Sequence, residues 1–180
     1  MHTPSLPFPQ PELHALALDG VLWRDGSVIA GSASPPLHLE RAALLAERLP
    51  DWAIAAGHTA GWVWTGLGHP EPWSLFRPLS PSISPLARAE WKPRSSRHID
   101  QQRIGALCLL SAQATIIDLL TAPGDDDVAA SQLFALTTSE ALGTHVSEQR
   151  RGWNSRQRDR ARVRVARVRQ WWRDYPDVTR

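Results

Sequence analysis

The alternation of apolar and polar residues changes along the chain, and each change marks a predicted element. Residues 13–30 hold short apolar runs interrupted by Asp19-Gly20 and Asp25-Gly26. Asp-Gly between such runs is typical of a tight β-hairpin, because both residues tolerate positive φ. The pattern therefore predicts a hairpin in this segment.

A helical period follows the hairpin and ends at a proline. Four apolar residues recur at i, i+3, i+4 and i+7 and would share one helix face: Ala42, Leu45, Ala46 and Leu49. The next residues, WAIAA (52–56), predict a short buried strand. HTAGWVWTGLG then predicts a second helix that begins at His58 or Thr59. A glycine, Gly66 or Gly68, is expected to end that helix.

The middle of the chain predicts strands. Residues 69–103 show no helical period. We expect a strand in WSLFRPL (73–79), a polar excursion between strands in residues 90–103, and a buried strand in IGALCLL (104–110).

Further helices are predicted after this last strand. Ser111 would cap a helix that runs through Leu120 to the loop PGDDD. Two more helices cover DVAASQLFAL and TSEALGTHVSEQ, with Asp126 or Asp127 and Ser139 as caps. Strands followed by helices indicate an α+β class: a small mixed sheet with helices, ending in a long Arg-rich amphipathic C-terminal helix. The expected parts are an extended Pro-rich N-terminus (1–12), an α+β core (13–150) and the basic helix (151–180).

The last thirty residues predict a single amphipathic helix that begins near Ser155. Its apolar residues step by four, three, four and three and lie within roughly 80° of one another: Ala161, Val165, Val168, Trp172 and Tyr175. Arginines flank this apolar stripe on both sides. The first rim consists of Arg158, Arg162, Arg169 and Arg173, and the second rim of Arg156, Arg160, Arg164 and Arg167.

Three hypotheses account for such a helix. The stripe can pack on an acidic body or on a second copy of the chain, with the arginine stems along its edges. The guanidinium groups can instead neutralise phosphates of a nucleic acid, which gives salt-dependent affinity. The third hypothesis, binding to a membrane surface, requires a broad, bulky apolar face. Ala and Val dominate this stripe, which disfavours the membrane hypothesis. The first two hypotheses are compatible, because the stripe can pack while the rims stay exposed.

The charge distribution indicates that the basic C-terminal segment contacts negative charge, either on a partner or on the rest of the chain. The net charge is +2, but residues 150–180 hold eleven Arg and three Asp, a local charge of +8. The other 149 residues carry nine basic and fifteen acidic side chains, a charge of −6. Such asymmetry indicates either a polyanion or a tail that folds onto its own acidic body.

The composition also restricts the compartment. The single Cys108 excludes an internal disulfide and favours a reducing environment, and its apolar neighbours predict a buried thiol. The first ten residues lack the features of a signal peptide. The longest apolar stretch, residues 107–120, is interrupted by polar residues and is shorter than the about 20 residues of a membrane span. We therefore expect a cytoplasmic protein without a membrane partner.

The candidates for catalysis and metal binding are weak. Asp125–Asp127 lack the alternating spacing of a calcium loop, and the seven His show no zinc-ligand spacing. His58 is interpreted as a capping or core histidine rather than a general base. Glu90 and Lys92 fit the [DE]-x-K pattern of nucleases, but Pro93 follows directly. Phosphate-loop, dinucleotide and serine-hydrolase motifs are absent from the sequence, so we expect no catalytic residue, metal or cofactor.

Two segments carry a family resemblance. IAAGHTAGWVWTGL is similar to a Ser/His-x-x-Ala-Ala-x-x-(Trp/His)-Gly-Leu helix, with these matched residues: His58, Thr59, Ala60, Gly61, Trp64, Gly66 and Leu67. LSAQATIIDLL is similar to a Thr-Ser-Pro-x-Arg-Thr-x-x-Asp-Leu segment through Ser111, Thr115, Asp118 and Leu119. Together with the hairpin before them, these motifs resemble the core of the AbiEi family, the antitoxins of type IV toxin–antitoxin systems. Ala112 and Ala114 stand where the family has Pro and Arg.

The resemblance, over roughly residues 15–150, implies a non-enzymatic protein that opposes a nucleotidyltransferase-like toxin and represses its own operon. It concerns the core domain, because the fourteen residues before the hairpin leave almost no room for the winged helix-turn-helix of such antitoxins. We therefore expect an antitoxin-like, DNA-binding transcription regulator that contacts DNA through the arginine helix. One alternative is an interaction or oligomerisation module that forms a homo-oligomer through the apolar stripe. A remote alternative is a metal-dependent nuclease using Glu90, Lys92 and Asp125–Asp127.

Overall fold

The fold is α+β, as the sequence predicts, with a small mixed sheet beside a layer of helices. The computed structural model describes residues 12, 15–16, 18, 22–25, 28–30, 37–78, 83–95 and 99–175. Within these ranges the strands are β1 (Trp23–Asp25), β2 (Val28–Ala30), β3 (Ile54–Ala55), β4 (Leu75–Arg77), β5 (Arg94–Ser95), β6 (Gln101–Ile104) and β7 (Leu107–Leu110). The α-helices are α1 (His38–Ala46), α2 (Gly57–Thr65), α3 (Pro85–Trp91), α4 (Ala112–Thr121), α5 (Asp126–Leu136), α6 (Ser139–Gln149) and α7 (Ser155–Asp174).

The strands form a separate hairpin and one larger sheet. β1 and β2 pair antiparallel, with Asp25 opposite Val28, which confirms the predicted hairpin at Asp25-Gly26. The described residues of the apolar run before Asp19 are helical rather than extended: Ala15, Leu16 and Leu18. The other five strands have the order β5-β4-β3-β7-β6. β3 is parallel to β7 and antiparallel to β4. The predicted turn at Asp19-Gly20 lies outside the described residues, as does the predicted extended segment 1–12 apart from Glu12, which is helical.

The central strands face two different environments. Leu107 and Leu109 of β7 point into a core shared with α1 and α2. Leu110 lies on the opposite face with Ile54, where Cys108 is only half-buried. The burial predicted for Cys108 is therefore incomplete, because partly exposed side chains cover this second face of the sheet.

A second core lies among α4, α5, α6 and α7. Its buried members are Ile116, Leu119, Leu120, Ala129, Ala130, Leu133, Leu142, Ala161, Val165 and Val168. α7 packs on α4 and α5, and α2 contacts the same two helices and so joins this layer to the sheet. In the described part of the chain, no helix combines the length and apolar character that crossing a membrane requires.

α3 is the clearest departure from the predicted elements, because no helix was expected in residues 69–103. None of its residues is buried, so an apolar period has no reason to appear. The start is marked instead by Ser84, whose hydroxyl accepts a hydrogen bond from the Ala87 amide at 3.1 Å, followed by Pro85. Lys92 ends the helix with φ 45°, so the Glu90-x-Lys92 pattern lies at an exposed helix end rather than on a strand.

Two other segments differ from their predictions. The polar residues 90–103 contain β5 and the start of β6, because an exposed edge strand carries polar side chains. IGALCLL is divided by Gly105, which has φ 57°, so Ile104 ends one strand and Leu107 begins the next.

The helix ends agree with the predictions at some positions and differ by one residue at others. α2 begins at Gly57, before the predicted His58 or Thr59, and ends at Gly66, as expected. Asp125 caps α5, since its carboxylate accepts hydrogen bonds from two amides of the first turn, so the prediction of Asp126 or Asp127 is wrong. Thr138, rather than Ser139, accepts from the first turn of α6. Ser111 caps α4, as predicted.

Candidate nucleic-acid interface

The C-terminal helix is present and its apolar stripe is buried inside the protein. α7 begins after Asn154, whose side chain accepts from the Gln157 amide at 3.0 Å in a capping box. Ala161 and Val168 are buried against α4 and α5. Tyr175 leaves the stripe and is 61% exposed, because the helix ends one residue before it. The stripe that an oligomerisation module would use is therefore largely covered by the chain itself.

The second rim faces the body of the protein, and its centre is Arg164. This side chain is 1% exposed, whereas the sequence predicts a cation available to phosphate. Its Nε donates to Asp126 at 2.7 Å, and its Nη1 donates to the carbonyls of Leu119 and Ala122 at 2.7 and 2.9 Å. Burial lowers the pKa of this guanidinium, and the hydrogen bond to Asp126 opposes that shift. Arg164 thus holds the C-terminal carbonyls of α4 and cannot contact a nucleic acid in this fold.

The neighbours of Arg164 on the same rim are also engaged. Arg167 forms an ion pair with Asp127 at 2.6 Å, and Arg160 donates to the Thr121 carbonyl at 3.2 Å. Arg156, the remaining member of this rim, is exposed. Asp126 and Asp127, in the first turn of α5, therefore neutralise much of the second rim, which leaves little charge there for a phosphate.

The first rim has the opposite character. Arg158, Arg162, Arg169 and Arg173 are all exposed. None of these four guanidinium groups forms an ion pair with a carboxylate of the described residues. Since both rims have the same composition, the difference arises from which side of α7 meets the acidic loop.

A groove of about 320 Å³ runs along the first rim. Its walls come from α6, from the connection after the short 3₁₀ helix Arg150–Gly152, and from α7. The lining residues are Val146, Trp153, Arg158, Ala161, Arg162, Val165, Ala166 and Arg169. The sequence predicted the three arginines but not the half-buried Trp153. Its position directly before the Asn154 cap was the available indication that this side chain would lie beside the helix.

The residues of the nuclease alternative have structural partners or lie apart in the fold. Asp125 caps α5, and Asp126 and Asp127 pair with arginines of α7. Glu90 and Lys92 are exposed at the end of α3. Across the ranges that the structure describes, no three His, Cys, Asp or Glu side chains come together as a metal site would require.

A second polar cluster joins the two segments that carry the family resemblance. Asp118 of α4 accepts a hydrogen bond from the Gly57 amide at 2.8 Å, at the start of α2. The same carboxylate pairs with Arg94, whose Nη1 and Nη2 lie 2.7 and 2.5 Å from its two oxygens. Arg94 also donates to the Ser74 hydroxyl at 3.2 Å. The cluster thus ties α2, α4 and the sheet together.

His58 borders this cluster and gives it a pH dependence. Its Nε2 donates to the Pro72 carbonyl, and burial lowers its pKa below the usual 6.5. The hydrogen bond to Pro72 opposes that shift, and Arg94 adds to it. The folded protein therefore binds the His58 proton less readily than the unfolded chain does.

We expect the free energy of unfolding to fall as the pH drops through 6.5 and to level off below the folded-state pKa of His58. His58→Gln should reduce this loss, because glutamine does not titrate. Urea unfolding at pH 7.5 and 5.5 measures it, with the exposed His38→Gln as control. Equal losses in the wild type and in His58→Gln would contradict the prediction.

Comparison of the chain with protein-family models, with curated proteins and with solved structures gives no match. The resemblance to the AbiEi core stays a prediction from the motif residues.

Proposed function

We propose that the chain is a non-enzymatic, antitoxin-like regulator that binds nucleic acid through the first rim of α7. The observation that carries the binding part is the contrast between the two rims. Three of the four guanidinium groups of the second rim meet carboxylates and carbonyls of the body, whereas those of the first rim lack such ion pairs among the described residues. Exposed arginines along one helix face bind phosphates by releasing counterions, without need of a cofactor.

The affinity for duplex DNA should depend strongly on salt. If all four arginines of the first rim contact phosphates, the slope of log affinity against log salt is about −3.6, at about 0.9 per contact. A fourfold rise from about 50 to 200 mM salt would then weaken binding by about 150-fold. Fluorescence anisotropy with a labelled duplex measures this slope.

Charge reversal identifies the surface that binds. Arg158→Glu with Arg162→Glu should lower the affinity at least tenfold and reduce the slope by about 1.8, because two phosphate contacts are lost. Arg88→Glu with Arg103→Glu makes the same change in net charge at exposed positions on α3 and β6, and it should leave the slope unchanged. Equal effects of the two double variants would indicate a general charge effect and refute the proposed surface.

The regulatory part of the proposal is supported by the resemblance to the antitoxin core. A regulator of its own operon should bind the DNA upstream of its gene more tightly than a shuffled duplex of the same composition. Equal affinities would mean that binding does not depend on the DNA sequence and would contradict the regulatory part of the proposal. A nucleotidyltransferase-like toxin encoded beside this gene would be the functional partner, and its toxicity should fall on co-expression of the chain.

A further inference from the structure

We propose that the groove beside the first rim takes an unpaired nucleobase, so that the protein binds single-stranded nucleic acid more tightly than duplex. This inference rests on the proposed function, because the same arginines would hold the phosphates. Phosphate binding alone requires only exposed charge. The groove adds a recess that charge alone does not explain.

The lining of the groove combines two kinds of surface. Val146, Ala161, Val165 and Ala166 provide apolar walls, and the half-buried Trp153 lies beside them. Arg158, Arg162 and Arg169 surround these walls with positive charge. A volume of about 320 Å³ lies at the lower end of the roughly 300–1,000 Å³ typical of small-molecule sites. An aromatic wall with arginines around it is the arrangement that binds bases and backbone of a single strand.

The spacing of the arginines suits a strand that runs along α7. Arg158 and Arg169 are eleven residues apart, which corresponds to about 16 Å along a helix axis. A stacked strand places one phosphate about every 3.4 Å, so this distance covers about five phosphates. A strand on the first rim would therefore pass Arg162 and bring a base to the groove.

Base pairing decides between a single strand and a duplex. In a duplex each base is stacked and paired, so its faces cannot reach an indole at the protein surface unless the base is flipped out. In a single strand every base exposes a stacking face. An acidic peptide would pair with the arginines but would not stack on the tryptophan or pack against the apolar walls.

Three probes of equal length separate these occupants: a 12-residue oligo-dT, the same backbone with abasic sites, and a 12-base-pair duplex. The wild-type chain should bind oligo-dT about tenfold more tightly than the abasic strand, since stacking of one base accounts for a factor of this size. The duplex should bind less tightly than oligo-dT, because its paired bases leave only the phosphate contacts. This comparison requires no variant, so folding does not complicate it.

Variants then locate the effect. Trp153→Leu should weaken binding of oligo-dT about tenfold and change binding of the abasic strand less than twofold. Trp153→Phe, which keeps an aromatic face, should restore much of the difference between the two strands. Trp91→Leu, at another half-buried tryptophan outside the groove, is the matched control and should behave as the wild type.

The outcomes distinguish this inference from the proposed function. Equal affinity of the wild type for oligo-dT and for the abasic strand would overturn the groove proposal, while arginine-dependent binding would still support the first rim. Competition by a 12-residue poly-Glu peptide as strong as that by oligo-dT would also overturn it, in favour of an acidic partner. Loss of all dependence on Arg158 and Arg162 would overturn both.

Discussion

Arg164→Met is expected to lower the free energy of unfolding by about 2–4 kcal/mol, below the full cost of breaking a buried ion pair because Asp126 is 36% exposed. The variant leaves Asp126 without its cation and the carbonyls of Leu119 and Ala122 without their donor. Methionine keeps much of the side-chain volume, so the loss reports the polar contacts rather than a cavity. Urea denaturation measures the change, and the melting temperature should fall by about 4–16 °C.

Arg162→Met is the matched control for this prediction. It makes the same substitution two residues earlier on α7, at an exposed side chain of the first rim. Its effect on the free energy of unfolding should stay within about 0.5 kcal/mol, as for most surface changes. Equal stability of the two variants would mean that Arg164 is not held as described, and the second rim would then return as a candidate phosphate surface.

The two variants should also separate stability from binding. Arg162→Met removes one guanidinium from the first rim and should weaken duplex binding without loss of stability. Arg164→Met should do the reverse under conditions in which the protein stays folded. Two arginines that lie two residues apart, each between apolar residues, would thus have different roles: Arg164 stabilises the fold and Arg162 binds phosphate.

The sequence predicts α7 well because its information is local. The step of four and three residues locates the helix and the buried stripe without reference to the rest of the chain, and the observed cap, Asn154, lies directly before the predicted start near Ser155. The choice between the two rims is not local. On a helical wheel the two rims lie nearly symmetrically on either side of the stripe. Only the position of Asp126 and Asp127, at the start of α5, therefore decides which rim is neutralised.

Which rim is neutralised could be predicted in part from the charges in the sequence. Asp126 and Asp127 belong to the acidic run PGDDD, and the C-terminal segment carries an excess of positive charge. Combining the two observations would have paired the acidic loop with one rim. It would not have identified Arg164 as buried, because a run of alternating arginines gives no indication of which one meets helix-end carbonyls.

Some elements near the sheet also could not be predicted from a local sequence pattern. α1, β3 and β4 follow from apolar periods and short buried runs, whereas α3 lacks a buried face and is marked only by Ser84-Pro85. The start of α2 depends on Asp118, which lies 61 residues from Gly57. A cap supplied from another helix leaves no local pattern, so the predicted start at His58 or Thr59 was wrong.

Asp118→Asn is expected to lower the free energy of unfolding by about 2–3 kcal/mol. The carboxylate is 12% exposed and Arg94 is 29% exposed, so we place the loss below the full cost of breaking a buried pair. Asparagine keeps one oxygen that can accept from the Gly57 amide but removes the charge that Arg94 contacts with both of its terminal nitrogens. Urea denaturation of the variant measures the change, and the exposed Asp51→Asn should stay within about 0.5 kcal/mol.

A double-mutant cycle tests whether the loss arises from the ion pair itself. In the Arg94→Met background the carboxylate of Asp118 has no guanidinium to neutralise it, so the further change to asparagine should cost less than in the wild type, with a coupling energy of about 1–3 kcal/mol. Arg94→Met also removes the guanidinium that lies 4.3 Å from the Phe76 ring, a loss that cancels in the cycle. Additive effects would show that Asp118 acts through the Gly57 amide alone. The junction between α2, α4 and β5 would then depend on the helix cap rather than on the charge pair.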